Sequence, residues 1–383
     1  MSFLGTAVKI IFRFFLILFC LSVPTAILAV FHAWMFLHLP AKPAFETRQF
    51  FIPPKTGSLT VARLLESEEV VRDARKFYLL CWFRNALHRL KAGEYAFSTM
   101  LTPDQVLDQI VNGRVVVHSA TLPEGSTLWD IARIFDQKEP GSGDAIMELT
   151  KKSEFIKSLG LKAKTLEGYL FPDTYSFTRP IEPTVIVKSM VQQFWHHLPQ
   201  EWQNRSQELG FSLHEIVTIA SIVEKEAVVD SERSTIAGVF YNRLKIKMPL
   251  QSDPTAVYDI PGFTGPVTSV HLSRQSPYNT YYIKGLPPGP ICNPGAKSLR
   301  AAFFPEKIPY LYFVSNNDGT HHFSATIEDH RKAVSHYYEQ RKKAAEGQEP
   351  VPQPDKTDST TNGTVDREIK APEETGNKEG TTQ

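Results

Sequence analysis

Two carboxylates, Glu224 and Glu226, stand two positions apart in ASIVEKEA (220–227), at the end of a run (216–223) that otherwise reads as buried helix. At about 100° per residue, a buried face centred on Ile216, Ala220, Val223 and Ala227 puts Glu224 on one flank and Glu226 on the other, with Lys225 toward solvent. A carboxyl on the edge of an apolar face is partly desolvated, which favours its protonated form. That is the state a general acid must occupy. Helical geometry alone does not choose between the two. A structural role is equally open, with the carboxylates paired to Arg233, Arg243 or Lys225.

Other polar and aromatic clusters follow residue 165: LEGYLFPDTY (166–175) with Glu167, FYNRL (240–244) with Asn242, LQSDPTAVY (250–258) with Gln251 and Asp253, SPYNTYYIKGLPPGPICNPG (276–295) with Tyr278 and Asn279, and YLYFVSNNDGTHHFS (310–324). The Pro/Gly run at 285–295 fits neither helix interior nor central strand and must be a shaped loop. The tyrosines before it combine flat apolar faces with hydroxyls, the properties needed to stack on and hydrogen-bond sugar rings. His321, His322 and His330 lack metal-ligand spacing and clustered Asp or Cys, which favours a surface or substrate-groove role. Ser221 and Ser276 lack G-x-S-x-G context, and no P-loop or G-x-G-x-x-G exists. No cofactor or metal is expected.

These elements belong to a chain of 383 residues with a formal net charge of +1 and no basic block in mid-chain, so nucleic acid is not an expected partner. Residues 14–39, FFLILFCLSVPTAILAVFHAWMFLHL, carry no formal charge and are long enough to cross a bilayer. Lys9 and Arg13 precede them, which puts residues 1–13 in the cytoplasm, a transmembrane helix at 14–38 and the rest of the chain outside. A cleaved signal peptide is the alternative, with Ala26 and Ala29 near a cleavage position, but the apolar stretch is longer than such a segment needs. Cys20 falls in the span; Cys81 and Cys292 have neither metal nor disulfide-framework spacing. From 343 to 383 the composition turns polar and is expected to be a disordered tail.

Between anchor and tail the chain is expected to divide near 165. Upstream, IPPKTGSLTVARLL (52–65) and LPEGSTLWDIARIF (122–135) form a weak repeat: apolar lead, Pro/Gly turn, amphipathic helix. Ser126 or Thr127 is the expected N-cap of the second helix, with Asp130 in its first turn. Between the copies, Tyr95 and Phe97 mark a strand, and a helix runs from Pro103 to a stop at Gly113. The PxGxT-like turn between strand and helix resembles that of LysM modules, which bind cell-wall glycans.

The motifs EGYLFPDTY, ASIVEKEA, NRL, LQSDPTAVY, SPYNTY, GLPPGPICNPG and YLYFV followed by HHF occur in one order, and the chain from anchor to about 340 resembles the membrane-bound endolytic murein transglycosylases of the YceG-like family. The resemblance implies an α+β protein: a LysM-like region at 44–164 and a larger catalytic domain at 165–342. It also implies a lytic transglycosylase that cuts peptidoglycan glycan strands from the outer, periplasmic face of the inner membrane, near the wall-synthesis machinery. The catalytic acid it implies is the second Glu of the triplet, Glu226, with Glu224, Glu167, Asn242, Gln251, Asp253, Tyr278 and Asn279 in support or on substrate. One departure is ICNPG, where family members often carry a small hydroxyl residue near Asn293; this is expected to bear on substrate contacts. Two other readings stay open: a muramidase-type hydrolase using Glu226 with Glu224, Glu167 or Asp253, and a non-catalytic, membrane-tethered peptidoglycan-binding scaffold.

Overall fold

The computed structural model describes residues 2–42 and 45–346. The chain is a mixed α+β protein of two compact units: one up to Ser119 with Ser176–Glu182, the other Ala120–Tyr175 with the residues from Pro183 on. The expected tail at 343–383 lies outside the described residues except for its first turn, which continues the last helix to Glu346.

Unit 1 begins with α1 (Ser2–His38), in which Leu16–His38 is long and apolar enough to cross a membrane. Strands β1 (Thr47–Ile52) and β2 (Gly93–Ser98) pair antiparallel, Thr47 opposite Ser98 and Ile52 opposite Gly93. They enclose α2 (Ser58–Ser67) and α3 (Ala74–Phe83), and α4 (Pro103–Asn112) follows. Alternation puts Tyr95 and Phe97 of β2 in the core beside Phe77, Leu107 and Ile110. As expected, α4 starts at a Thr102–Gln105 capping box with Pro103 behind it, and stops where Gly113 takes φ 68°.

The division expected near 165 falls at 119/120 instead, within β3 (His118–Thr121). The second copy of the repeat therefore belongs to unit 2. Its helix α5 (Leu128–Lys138), capped by Thr127 and Asp130 as expected, packs on α6 (Ser142–Leu149), and α7 (Ser153–Ser158) follows. Its turn is tied to the Pro/Gly loop far along the chain: Gly125 N donates to Asn293 O and Asn293 N to Ser126 O, both at 2.9 Å. Composition at 122–164 resembles what precedes it, and long-range bonds such as these reveal where it packs.

After β4 (Thr174–Phe177) come α8 (Pro183–His197), α9 (Trp202–Leu209) and α10 (Leu213–Glu226). A Ser212–Glu215 capping box starts α10, and every residue from Ile216 to Val223 is buried. A helix apolar all round belongs in a core, and α10 packs against α11 (Arg233–Lys245), α12 (Asp253–Val257) and α14 (Ala296–Phe303), while the short α13 (Ser269–Leu272) packs on α12. The antiparallel hairpin β5 (Tyr312–Ser315) and β6 (His321–Ser324) packs on α15 (Ile327–Glu346). The Pro/Gly run is indeed a loop, and its last part, Pro290 to Asn293, is buried. Ser221 makes that possible, accepting Ile291 N at 3.0 Å. Cys20, Cys81 and Cys292 are free thiols.

Candidate active site

The core run of α10 ends at the triplet, and the two glutamates meet different surroundings. Glu224 is nearly buried, its side chain 6% exposed, with Oε1 paired to Arg233 at 3.1 Å and Oε2 accepting Gly295 N at 2.9 Å. Arg233 is itself buried and held by Asp230 and Ser298. Glu224 thus locks the start of α11 and the entry to α14. Lys225 is exposed as expected, and its Nζ reaches Gly125 O at 3.1 Å.

Glu226 is half-buried, and its Oε1 accepts a 2.5 Å hydrogen bond from Ser252 Oγ. Ser252 is fixed by main-chain bonds: its N–H donates to Thr280 Oγ1 at 3.0 Å and its carbonyl accepts from Thr255 Oγ1 at 2.5 Å. Gln251, held left-handed at φ 46°, donates its N–H to Thr280 O. Asp253 accepts the Tyr281 hydroxyl at 2.6 Å. Burial first, then the carboxylates of Asp253 and Glu226, push that hydroxyl's pKa far up, so it remains a donor. Arg243, buried, donates to Leu250 O and Leu311 O at 2.6 Å each and lies under the Tyr312 ring. Burial draws its pKa down to about 10, opposed by Tyr281, Tyr312 and Glu226, so it stays cationic at neutral pH beside Glu226. The cluster is therefore one carboxyl held by a hydroxyl, flanked by a buried cation and a Tyr–Asp pair. Such a set can deliver and recover a proton.

The other expected residues lie elsewhere. Glu167 is 1% exposed and is a scaffold hub: Leu128 N (3.1 Å) and Tyr258 Oη (2.9 Å) donate to Oε2, and Asn293 Nδ2 (2.9 Å) to Oε1. Burial pushes its pKa up to about 7 against the pull of the Leu128 N–H and the Tyr258 hydroxyl. Asn242 holds the segment before β5, donating to Ile308 O at 2.8 Å and Tyr310 O at 3.0 Å. Asn279 is completely buried; its Nδ2 donates to Leu272 O and Arg274 O, and its Oδ1 accepts Tyr281 N, so its amide holds a loop. Tyr278 is half-buried, its ring 4.7 Å from that of Tyr258.

Two further expectations change. Asn293 and Cys292 are both buried, and the Asn293 amide binds Gly168 N, Leu170 N, Ser126 O and Glu167, so the ICNPG departure bears on packing. His330, expected at a surface or groove, is buried against the Tyr312 ring with burial drawing its pKa down to about 4. Ser252 and Arg243 were not singled out by residue type. The only sequence signal for Ser252 is its place beside Asp253, and Arg243 could be read only as a partner for the triplet. Among the described residues no three His, Cys, Asp or Glu side chains form a metal-ligand group. A surface groove of about 490 Å³ lies on α5 and α6, lined by Trp129, Arg133, Asp136 and Met147 among others, and shares no residue with the Glu226 cluster.

Residues 50–336 match the model of the YceG-like family. The chain belongs to the YceG-like family. An endolytic murein transglycosylase from Bacillus subtilis is 31% identical over 312 residues, covering 77% of this chain and 86% of that protein. A second of that name, from Streptococcus pneumoniae, is 29% identical over 322 residues, 75% of this chain and 57% of the longer relative. The crystal structure of a YceG-like protein from Listeria monocytogenes, 33% identical, superposes with a TM-score of 0.52 over 76% of this chain and all of that one. For this YceG-like chain, the match takes in both units and the whole Glu226 cluster.

Proposed function

We propose that this chain is an endolytic peptidoglycan transglycosylase that cleaves the bond between N-acetylmuramic acid and N-acetylglucosamine and leaves a 1,6-anhydromuramyl end. The observation that carries the reading is the division of labour at the triplet. Glu224 is consumed by Arg233 and Gly295, while Glu226 is half-buried, oriented by Ser252 and set among polar groups. Glu226 is the acid. It gives its proton to the glycosidic oxygen as positive charge develops at C1 of the muramyl residue. The carboxylate so formed takes the proton of the C6 hydroxyl as that oxygen closes on C1. Each bond broken is matched by one formed, and no water enters.

A hydrolase needs a second carboxyl to activate water or form a glycosyl-enzyme. Glu167 is buried in the scaffold and Glu224 is ion-paired, so neither fits that part. Asp253, bound to Tyr281, supports the site from the loop that carries Ser252. Arg243 stabilises the carboxylate form of Glu226 between the two proton transfers.

The anchor is α1, a single inner-membrane span with residues 1–13 in the cytoplasm by the positive-inside rule and both units on the periplasmic face. Unit 1 serves as the LysM-like glycan-binding region, supported by its strand–helix–helix–strand order across residues 47–98. A membrane-held active site stays near newly polymerised strands, which supports proximity to wall-synthesis proteins by analogy. Digesting purified sacculi tests the reading: anhydro ends are expected, and new reducing ends would establish hydrolysis.

A further inference from the structure

We infer that unit 1 docks on the membrane through the outer face of α3, with Leu79, Trp82 and Phe83 seated in the lipid headgroup region; this rests on the reading of α1 as a membrane span. Helix α3 buries Ala74, Phe77, Leu80 and Cys81. On the opposite pole it exposes Leu79 (60%), Trp82 (66%) and Phe83 (81%). Three large apolar side chains on the solvent pole of one short helix have no stabilising partner in water, and contiguous exposure of this kind marks an interaction surface.

What covers the face follows from its distance to the anchor. About 20 helical residues cross the hydrocarbon core, so a span entered at Leu16 leaves it near Met35. The next residue, Phe36, is already 8% exposed inside the unit 1 core, and Leu37 packs there too. No spacer separates bilayer from unit 1. Lys76, in the first turn of α3, places its Nζ 5.9 Å from the centre of the Phe36 ring. At 1.5 Å per residue, Leu79 and Phe83 lie only about 5 and 10 Å further along α3. Leu79 thus lies within reach of a headgroup layer that adds about 5 to 8 Å to each side of the core, and Trp82 and Phe83 enter that layer when α3 lies along the membrane plane.

The chemistry suits lipid as well. Arg75 and Lys76 stand on the same exposed face, Lys76 with Asp73 at 3.7 Å, while Arg84 at the helix end is paired with Asp104. Basic side chains beside Trp, Phe and Leu are the composition of surfaces that lie in a membrane interface, where the cations meet phosphate and the aromatic rings sit at headgroup level. Docking of this face would fix the orientation of unit 1 to the bilayer.

The test uses the full chain in phosphatidylcholine–phosphatidylglycerol vesicles whose acyl chains carry bromine near the headgroup. Subtracting the emission of Trp82→Phe from that of the wild type isolates Trp82, and Trp34→Phe isolates a residue within α1. Trp82 is expected to lose about half its emission in brominated vesicles, as a side chain held at the interface would. If Trp34 is quenched and Trp82 is not, the face is in water and the inference fails while the anchor stands. If Trp82 resists both bromolipid and aqueous iodide, a protein covers the face, and the inference again fails. If neither tryptophan is quenched by lipid, the anchor reading and the docking fall together.

Discussion

Ser252 Oγ donates to Glu226 Oε1 at 2.5 Å, and the other hydrogen bonds of Ser252 use its main chain. The side chain thus serves the carboxyl alone. Ser252→Ala keeps the loop and removes one of the contacts that orient Glu226. Loss of one hydrogen bond to a group that ionises in the reaction costs about 1.5 to 3 kcal/mol, so the rate on glycan strands should fall by about 10- to 100-fold with Tm unchanged. A parallel loss of Tm would make Ser252 a structural residue.

Glu224→Gln should act on stability first. It removes the charge facing buried Arg233 while leaving that cation in place. Breaking such a pair from one side costs about 3 to 5 kcal/mol. Thermal unfolding should therefore shift down markedly, and activity measured well below the new Tm should be mostly retained. A dead enzyme with an unchanged Tm would exchange the roles of the two glutamates.

Asn279 and Tyr278 are neighbours with opposite expected responses. Asn279→Ala removes the buried amide that holds the part-buried carbonyls of Leu272 and Arg274 and should lower Tm, each lost hydrogen bond costing about 0.5 to 1.5 kcal/mol. Tyr278→Ala removes a half-buried ring and should raise KM or lower kcat/KM with a smaller change in Tm. Measuring Tm and kcat/KM for both variants checks the contrast, and equal profiles would contradict it.

Glu167 gives a pH signature. Its pKa is raised from 4.5 to about 7 in the folded chain, so the folded state holds its proton where the unfolded chain has lost it. Stability from this group is complete below pH 4.5 and is lost as pH rises through about 7, on the order of 3 kcal/mol in all. Glu167→Gln should flatten that slope of Tm against pH. A variant with the wild-type slope would assign the dependence to another group.

The triplet's geometry was legible because it is local. Eight consecutive residues without a solvent-facing member mark a core helix, and the flanking places of Glu224 and Glu226 and the exposure of Lys225 follow from 3.6 residues per turn. Capping by Thr127 and Asp130 and the stop at Gly113 are equally local. What was not legible depends on pairs distant in the chain. Glu224 and Glu226 are told apart by partners distant in the chain, Arg233 and Gly295 for the first and Ser252 for the second, and Asn293 reads as a loop residue until Gly168, Leu170 and Ser126 surround it. Nothing within the apolar run separates Phe36, which packs in unit 1, from the exposed residues before it.

The most direct measurement is the end-group analysis of glycan strands digested by the wild type and by Glu226→Gln. Gln keeps the size of the side chain and can still accept from Ser252, but it has no proton to deliver. The wild type should produce 1,6-anhydromuramyl ends, and the variant should produce them at least about 100-fold more slowly at the same Tm. Reducing ends from the wild type, or undiminished anhydro ends from Glu226→Gln, would contradict the account.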